Sequence, residues 1–312
     1  LFDSLKRLFE GRLGFELYRP VGTDWYKNNF WLIARPYGDH PGTIDQYLGK
    51  RDNDPRAITL EEFKEMPIDI VIASYLPHFP RYKDLIKRYH NKAKLVLQMG
   101  NEWAVDFNEV KNLLASTMPI EVPDDVNAVF YHQEFDTDLY NYEKPEDNKI
   151  IRSFVNTLGQ QDMFKQDWDD FLELESLLPG YRFNSMGAST RNGIVEGDIL
   201  ISKMMKKSSF GIHLKTGGDG YGHVIHQWAA CGRPLIYRSS QYKNRLASKL
   251  LVNAVTGFDL DYYPASKVAD MIKHISWDQY GTMCLNMRDH FKSEVNFDKE
   301  EKEIEKFIER LQ

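Results

Sequence analysis

The 312-residue sequence holds only two cysteines, Cys231 and Cys284. So few exclude a disulfide framework and the paired-cysteine spacing of a structural zinc site, and they argue for a reducing, cytoplasmic compartment. No apolar run approaches the roughly 20 residues that a membrane-spanning helix needs. No signal peptide is recognisable, and neither low-complexity segments nor repeats occur. Positive charge is in deficit. Lys and Arg number 40 against 46 Asp and Glu, a net charge of -6. Such a chain is not built to coat nucleic acid, although a local basic groove stays open. There is no Ser-His-Asp order and no nucleophile elbow. His223 and His226 have no carboxylate or cysteine at ligand spacing, so no metal site is expected.

What is present is an ordinary globular composition, 42% hydrophobic and 28% charged. At this length two domains are expected. The opening segment reads as an amphipathic helix ending near Gly11 or Gly14, then a strand. A nucleotide-binding type of domain would carry a further strand and a Gly-containing loop ahead of that helix, and the sequence, which begins at Leu1, does not include them. Buried strands are predicted at 68–75 (IDIVIASY), 94–99 (KLVLQM) and 126–132 (VNAVFYH), with helices at 81–90 and 109–115. A polar stretch at 140–149 serves as linker. The alternation restarts with strands at 150–155, 181–184, 210–214 and 234–237 and helices at 168–178, 197–207 and 224–230. Residues 298–311 form a charged amphipathic helix with Asp298 as its N-cap. The expected domains are therefore 1–145, 146–297 and a terminal helix at 298–312. Strands separated by helices predict parallel βαβ units, with ligands beyond the carboxyl ends of the strands.

The strongest local signal is 216–237, TGGDGYGHVIHQWAACGRPLIY. It follows a strand and opens a helix. Gly217, Gly218, Gly220 and Gly222 permit positive φ and close backbone approach. The helix starting near His223 aims free N–H groups and its positive dipole end at the loop, an anion site suited to a diphosphate. Glycines alone would equally suit an unliganded turn.

The order of residues narrows the reading. GDGYGHVIHQWAACGRPLI resembles the signature of the retaining GT-B-fold glycosyltransferases (group 1, family 4-like), in which Glu-Gly-Phe-Gly is followed by Glu-Ala and Ala-Cys-Gly-x-Pro-Val. Asp219 stands at the first Glu and Tyr221 at the Phe, and Ala229, Cys231, Gly232 and Pro234 match. The lead-in GIVEGDILISKMMKKSSFGIHL and the pair Asn296-Phe297 agree, so the resemblance spans about residues 150–311. DIVIASYLPH resembles the family strand that ends in a donor-contacting His, here His78. The resemblance implies two Rossmann-like domains facing across a cleft, the first supplying the acceptor surface. It also implies sugar transfer from a nucleotide-diphosphate sugar with retention and without metal or other cofactor. Asp219 and His78 would contact the donor sugar. Gln227 replaces a Glu that accepts from the ribose hydroxyls, and an amide still accepts but without charge. Asn156 and Thr157 stand where the family carries the start of a cationic phosphate clamp, and Lys165 follows at loose spacing.

Other positions have two readings each. Lys215 contacts phosphate or is solvated, and Asp219 could be an Asx-turn residue. Asn101 and Glu102 would meet an acceptor hydroxyl. Trp103 stacks on a sugar or packs in the core. His132, Gln133, Glu134 and Asp136 bind acceptor or form a polar hinge. Competing functions are a sugar-nucleotide epimerase, a non-catalytic glycan- or nucleotide-binding module, and transfer to a modified nucleic-acid base.

Overall fold

The computed structural model describes residues 2–21, 56–74, 76–100, 105–117, 121–159 and 162–312. The chain divides into two compact units, residues 1–134 with 298–312, and residues 135–297.

Unit 1 is built on a parallel sheet of β3 (Ile70–Ala73), β4 (Lys94–Met99), β5 (Asn112–Ala115) and β6 (Asn127–Phe130), in that spatial order. A separate parallel pair joins β1 (Arg19–Pro20) to β2 (Ala57–Ile58). Side chains alternate across the sheet, so each strand feeds two cores. On one face Ala73, Leu97, Leu113 and Ala115 pack with Phe63 of α2 (Leu60–Glu65) and with Phe79, Leu85 and Ile86 of α3 (Phe79–Tyr89). On the other, Val96, Leu114 and Val129 pack with Leu5 of α1 (Phe2–Lys6), Leu8 and Phe9 of the π-helical turn Arg7–Arg12, and Ile304 and Phe307 of the terminal helix. Thr59 starts α2 with a reciprocal capping box through Glu62.

The segment 109–115, expected as a helix, is a turn followed by β5. Its composition suits a helix, but all four β5 residues are buried, which a one-faced surface helix would not achieve. Asp106 organises the turn instead, its carbonyl accepting from the N–H groups of Glu109 and Val110. Asp298 is likewise not an N-cap. The terminal helix runs Phe297–Glu309, and Asp298 sits in its first turn, where it complements the helix dipole and pairs with Arg12 at 2.8 Å. Arg12 also holds Glu134 and Glu301, and Glu300 accepts from the backbone N–H of His132 at 2.7 Å and lies 2.6 Å from its Nδ1. These polar contacts fix the register of the apolar stripe Ile304 and Phe307 against the sheet.

Unit 2 contains β7 (Ile150–Ser153), α4 (Lys165–Leu177), β8 (Arg182–Ser185), α5 (Asp198–Lys206), β9 (Phe210–His213), α6 (His223–Ala230), β10 (Leu235–Tyr237), β11 (Gly257–Asp259), α7 (Ala265–His274) and α8 (Trp277–Glu294). The five strands are parallel in the order β11-β10-β9-β7-β8. In chain order this is a 2-1-3-4-5 sheet, so the winding direction reverses between β7 and β9, the position at which open α/β sheets bind ligands. One core, around Phe171, Phe210, Ile236 and Val268, carries α4 and α7. The other, around Trp228, Leu235, Tyr242 and Met287, carries α6 and α8 and takes in Phe135 and Tyr140.

Sequence detail sets α6 against this sheet. A Cβ on Gly211 of β9 would lie 2.6 Å from the Trp228 ring and from Leu235, so only glycine lets the helix lie so close. Gly232, at φ 62, ends α6 in a Schellman arrangement: its N–H reaches Ala229 O and that of Arg233 reaches Trp228 O. The buried Arg233 guanidinium donates to Lys206 O, Cys231 O and Gly232 O, satisfying carbonyls at the ends of α5 and α6.

Both sheets are thus parallel and covered on both faces, the arrangement expected of two Rossmann-like α/β domains. Among the described residues no helix is long and apolar enough to cross a membrane.

Candidate functional site

The loop between β9 and α6 lies at the reversal point of the unit 2 sheet. Its path is fixed from below. Asp167 of α4, fully buried, accepts from Thr216 N at 2.6 Å and from Gln241 Nε2 at 2.7 Å. Gln241 returns its Oε1 to Lys215 N at 2.7 Å. A turn hydrogen bond from Gly218 N to Lys215 O closes the first bend. Gly217, Gly218 and Gly222 use positive φ (80°, 73° and 78°), whereas Gly220 does not. Gly222 is the left-handed N-cap of α6. Among the described residues no partner accepts from the backbone N–H groups of Gly222, His223 and Val224, so the positive end of α6 is open to an anion.

Asp219 lies within the loop with its side chain 26% exposed. Lys215 Nζ contacts its Oδ1, and His213 Nε2 stands 3.4 Å from its Oδ2. Burial pushes the carboxyl pKa up, but the His213 imidazole and the Lys215 ammonium outweigh that and hold it well below the usual carboxylate range. Asp219 is therefore a fixed anion able to accept from ligand hydroxyls. His213 is fully buried, stacks on Tyr242 at 5.9 Å, and has its carbonyl bonded by the Tyr242 hydroxyl at 3.3 Å.

The remaining loop residues divide between packing and exposure. Tyr221 is buried and stacks on His226 with ring centroids 4.1 Å apart, while His226 Nδ1 faces Gly222 O at 2.9 Å. His223, the first residue of α6, packs edge-on against Phe135, and burial lowers its pKa to about 4, so it is neutral near pH 7. Gln227 is buried within α6. Asn156 and Thr157 follow β7, on the other side of the reversal point. Asn156 Oδ1 accepts from Ala188 N at 2.9 Å, and Thr157, at φ 61, donates its N–H to Ala188 O at 2.7 Å. This pair clasps the loop after β8. Lys165, at the start of α4, is exposed and paired with Asp169.

Arg245, Asp167, Gln241 and His213 are the residues that sequence reading missed. Arg245 is buried, donates to Gly217 O at 3.2 Å, and its guanidinium carbon would lie 2.5 Å from a Cβ on Gly218. It comes from the segment after β10, where no motif marks it. Cys231 and Cys284 are buried thiols with pKa values pushed up by burial to about 12 and about 11, which favours the neutral thiol over the nucleophilic thiolate.

In unit 1, His78 ends a short 3-10 turn and is the residue before α3. Burial lowers its pKa to about 4. Asn101, Glu102 and Trp103 lie outside the described residues. Just before them, at the carboxyl end of the sheet, is a buried uncharged network. Ser116 Oγ accepts from Gln133 Nε2 at 2.8 Å and from Gln98 Nε2 at 3.3 Å, and Gln98 also donates to the Tyr131 hydroxyl at 3.2 Å. Among the described residues Thr117 Oγ1 and Gln98 Oε1 are buried without a hydrogen bond.

No family model and no curated protein matches the sequence. Solved structures do match. Anabaena HepE, crystallised with UDP-glucose, superposes with a TM-score of 0.62 at 13% identity, over 94% of this chain and 99% of that one. A glycosyltransferase from Rickettsia africae gives 0.61 at 14% identity, covering 86% and 88%. The pneumococcal O-GlcNAc transferase GtfA, crystallised with UDP and GlcNAc, gives 0.59 at 11% identity, covering 80% and 59%. The chain, with its two Rossmann-like α/β units, thus shares the GT-B-type fold of these structures.

Proposed function

We propose that this protein transfers a sugar from a nucleotide-diphosphate sugar, with UDP as the carrier, to an acceptor hydroxyl. The observation that carries the reading is the loop 215–222. It sits at the reversal point of a parallel sheet, opens the N-terminus of α6, and presents an ionised Asp219 beside it. An open helix start suits the diphosphate, whose charge grows as the sugar–phosphate bond breaks. A fixed carboxylate next to it suits sugar hydroxyls. HepE and GtfA, which share the fold, were crystallised with UDP-glucose and with UDP and GlcNAc.

In this reading Asp219 grips the donor sugar. The N–H groups of Gly222, His223 and Val224 meet the diphosphate, with Lys215 and Tyr221 shaping the loop around it. Gln227 accepts from the ribose. His78, Asn101, Glu102 and Trp103 serve the sugar and acceptor from unit 1. Transfer proceeds with retention and without a bound metal. Positioning an acceptor hydroxyl near an oxocarbenium-like sugar then supplies much of the rate.

A thermal-shift screen against nucleoside diphosphates and their sugars tests the donor, because a ligand that binds only the folded state raises the melting temperature. A rise with UDP-sugars supports the reading, and no response to any nucleoside diphosphate contradicts it. Product NMR tests the stereochemistry: an inverted anomer rules out retention. A second reading, a non-catalytic sugar-nucleotide-binding module, draws on the neutral Gln227 and on the engagement of Asn156 with the backbone of Ala188. Tight UDP binding without donor hydrolysis or transfer would select it.

A further inference from the structure

We infer that His213 is the positioning residue that sets the direction in which Asp219 presents its carboxylate to the donor sugar. This rests on the reading of the loop as a sugar-nucleotide site. His213 closes β9, and its side chain is 1% exposed. Among the described residues neither ring nitrogen makes a hydrogen bond. A buried polar ring without such partners is costly, and an apolar ring would pack there without that penalty. The polar group that the ring does face is Asp219, with Nε2 3.4 Å from Oδ2. The carboxylate therefore accounts for a histidine at this position.

The two contacts to Asp219 differ in what they can fix. Lys215 reaches Oδ1 from within the loop, on a flexible stem with its side chain 31% exposed, where water screens the pair. His213 belongs to the sheet. It pairs with Tyr237 of β10, its carbonyl accepts from the Tyr242 hydroxyl at 3.3 Å, and its ring stacks on the Tyr242 ring. Asp219 sits among Gly217, Gly218 and Gly222, all at positive φ. The frame beneath the loop holds its backbone, and the imidazole adds a link from the rigid strand end to the carboxylate itself. Burial pushes the Asp219 carboxyl up, and the His213 contact is the largest of those that push it down. With its proton on Nε2 the ring engages one side of Oδ2, and that oxygen keeps acceptor capacity for a sugar hydroxyl.

The test is calorimetric titration of UDP, UDP-glucose and UDP-N-acetylglucosamine into the wild type and three variants. His213→Phe keeps a ring against Tyr242 and loses both nitrogens. His213→Gln returns an amide N–H at about the reach of Nε2, whereas the amide of His213→Asn stops one bond short. The phenylalanine variant should lose about tenfold or more in affinity for the better-bound UDP-sugar and less than about threefold for UDP. Glutamine should recover most of that loss and asparagine little of it, a contrast that stands even if the phenylalanine variant does not fold. Equal losses for UDP and the UDP-sugar, an unchanged UDP-sugar affinity, or glutamine and asparagine behaving alike would overturn the assignment to His213 while leaving the donor reading intact. A wild type that binds none of the three ligands would sink the donor reading itself.

Discussion

The two sheets end in opposite chemistries. At the carboxyl edge of unit 2, ionised groups meet flexible-φ glycines: Asp219, Lys215 and Arg245 around Gly217 and Gly218. At the same edge of unit 1, the described residues include a neutral, buried set: Gln98, Ser116, Thr117 and Gln133. The topologies differ in step. Unit 2 reverses its winding between β7 and β9, whereas the described strands β3 to β6 of unit 1 follow in simple order. In the proposed reading the unit 2 edge would hold an anion beside hydroxyls, and the unit 1 edge would offer amides and hydroxyls to an uncharged polar ligand. The lesson is that a shared architecture leaves the function of each half to the residues at its strand ends.

The sharpest break of the comparison is Asp219→Ala. If the unit 2 edge is the donor site, turnover of a UDP-sugar should fall about a hundredfold or more, as when one charged contact to the reacting group is lost. The thermal response to the UDP-sugar should fall more than that to UDP, and equal losses would remove Asp219 from the sugar site. Next comes the frame beneath the loop. Asp167→Ala strands two buried donors, Thr216 N and Gln241 Nε2, and should destabilise the protein by about 3 kcal/mol in urea unfolding. A loss under about 0.5 kcal/mol would mean that the loop holds itself.

The matching change in unit 1 is smaller. Ser116→Ala removes the neutral hub and should cost about 1–2 kcal/mol while leaving UDP binding unchanged. Weakened UDP binding would erase the division of labour drawn above. The smallest effect is a pH slope. His78 and His223 have folded-state values of about 4 against 6.5 for the free side chain, both through burial. As pH falls from about 6.5 to about 4, the unfolded chain takes up protons that the folded one refuses, so stability drops across that window. His78→Gln and His223→Gln should each flatten the decline in thermal melts, and an unchanged slope would show that neither ring is held neutral. Asp219 acts lower. Its depressed value makes its contribution full above the ordinary carboxylate range and lost as pH falls beneath it.

Much of the fold was legible because burial on both faces writes continuous apolar runs. Lys94–Met99 could be read directly, and the restart of strands after residue 149 revealed the second sheet. The stretch at 109–115 failed for a physical reason. Its Glu, Val, Lys and Leu residues carry no helix breaker, and tertiary burial on two faces overrode propensity. β11 escaped notice because Gly257–Asp259 offers a single large apolar residue, Phe258. The glycine loop was visible as contiguous sequence. Its supports were not, since Asp167 and Arg245 lie 49 and 28 positions from the loop residues they hold. Local motifs expose the backbone of a site, whereas its charged frame is assembled only by folding.

The central claim is that unit 2 alone grips the nucleotide diphosphate through the loop between β9 and α6. Hydrogen exchange with and without saturating UDP tests it most directly. UDP should slow exchange at residues 215–226 and 241–247 and leave the strands β3 to β6 unaffected. Protection confined to unit 1, or none at the loop, would contradict the account.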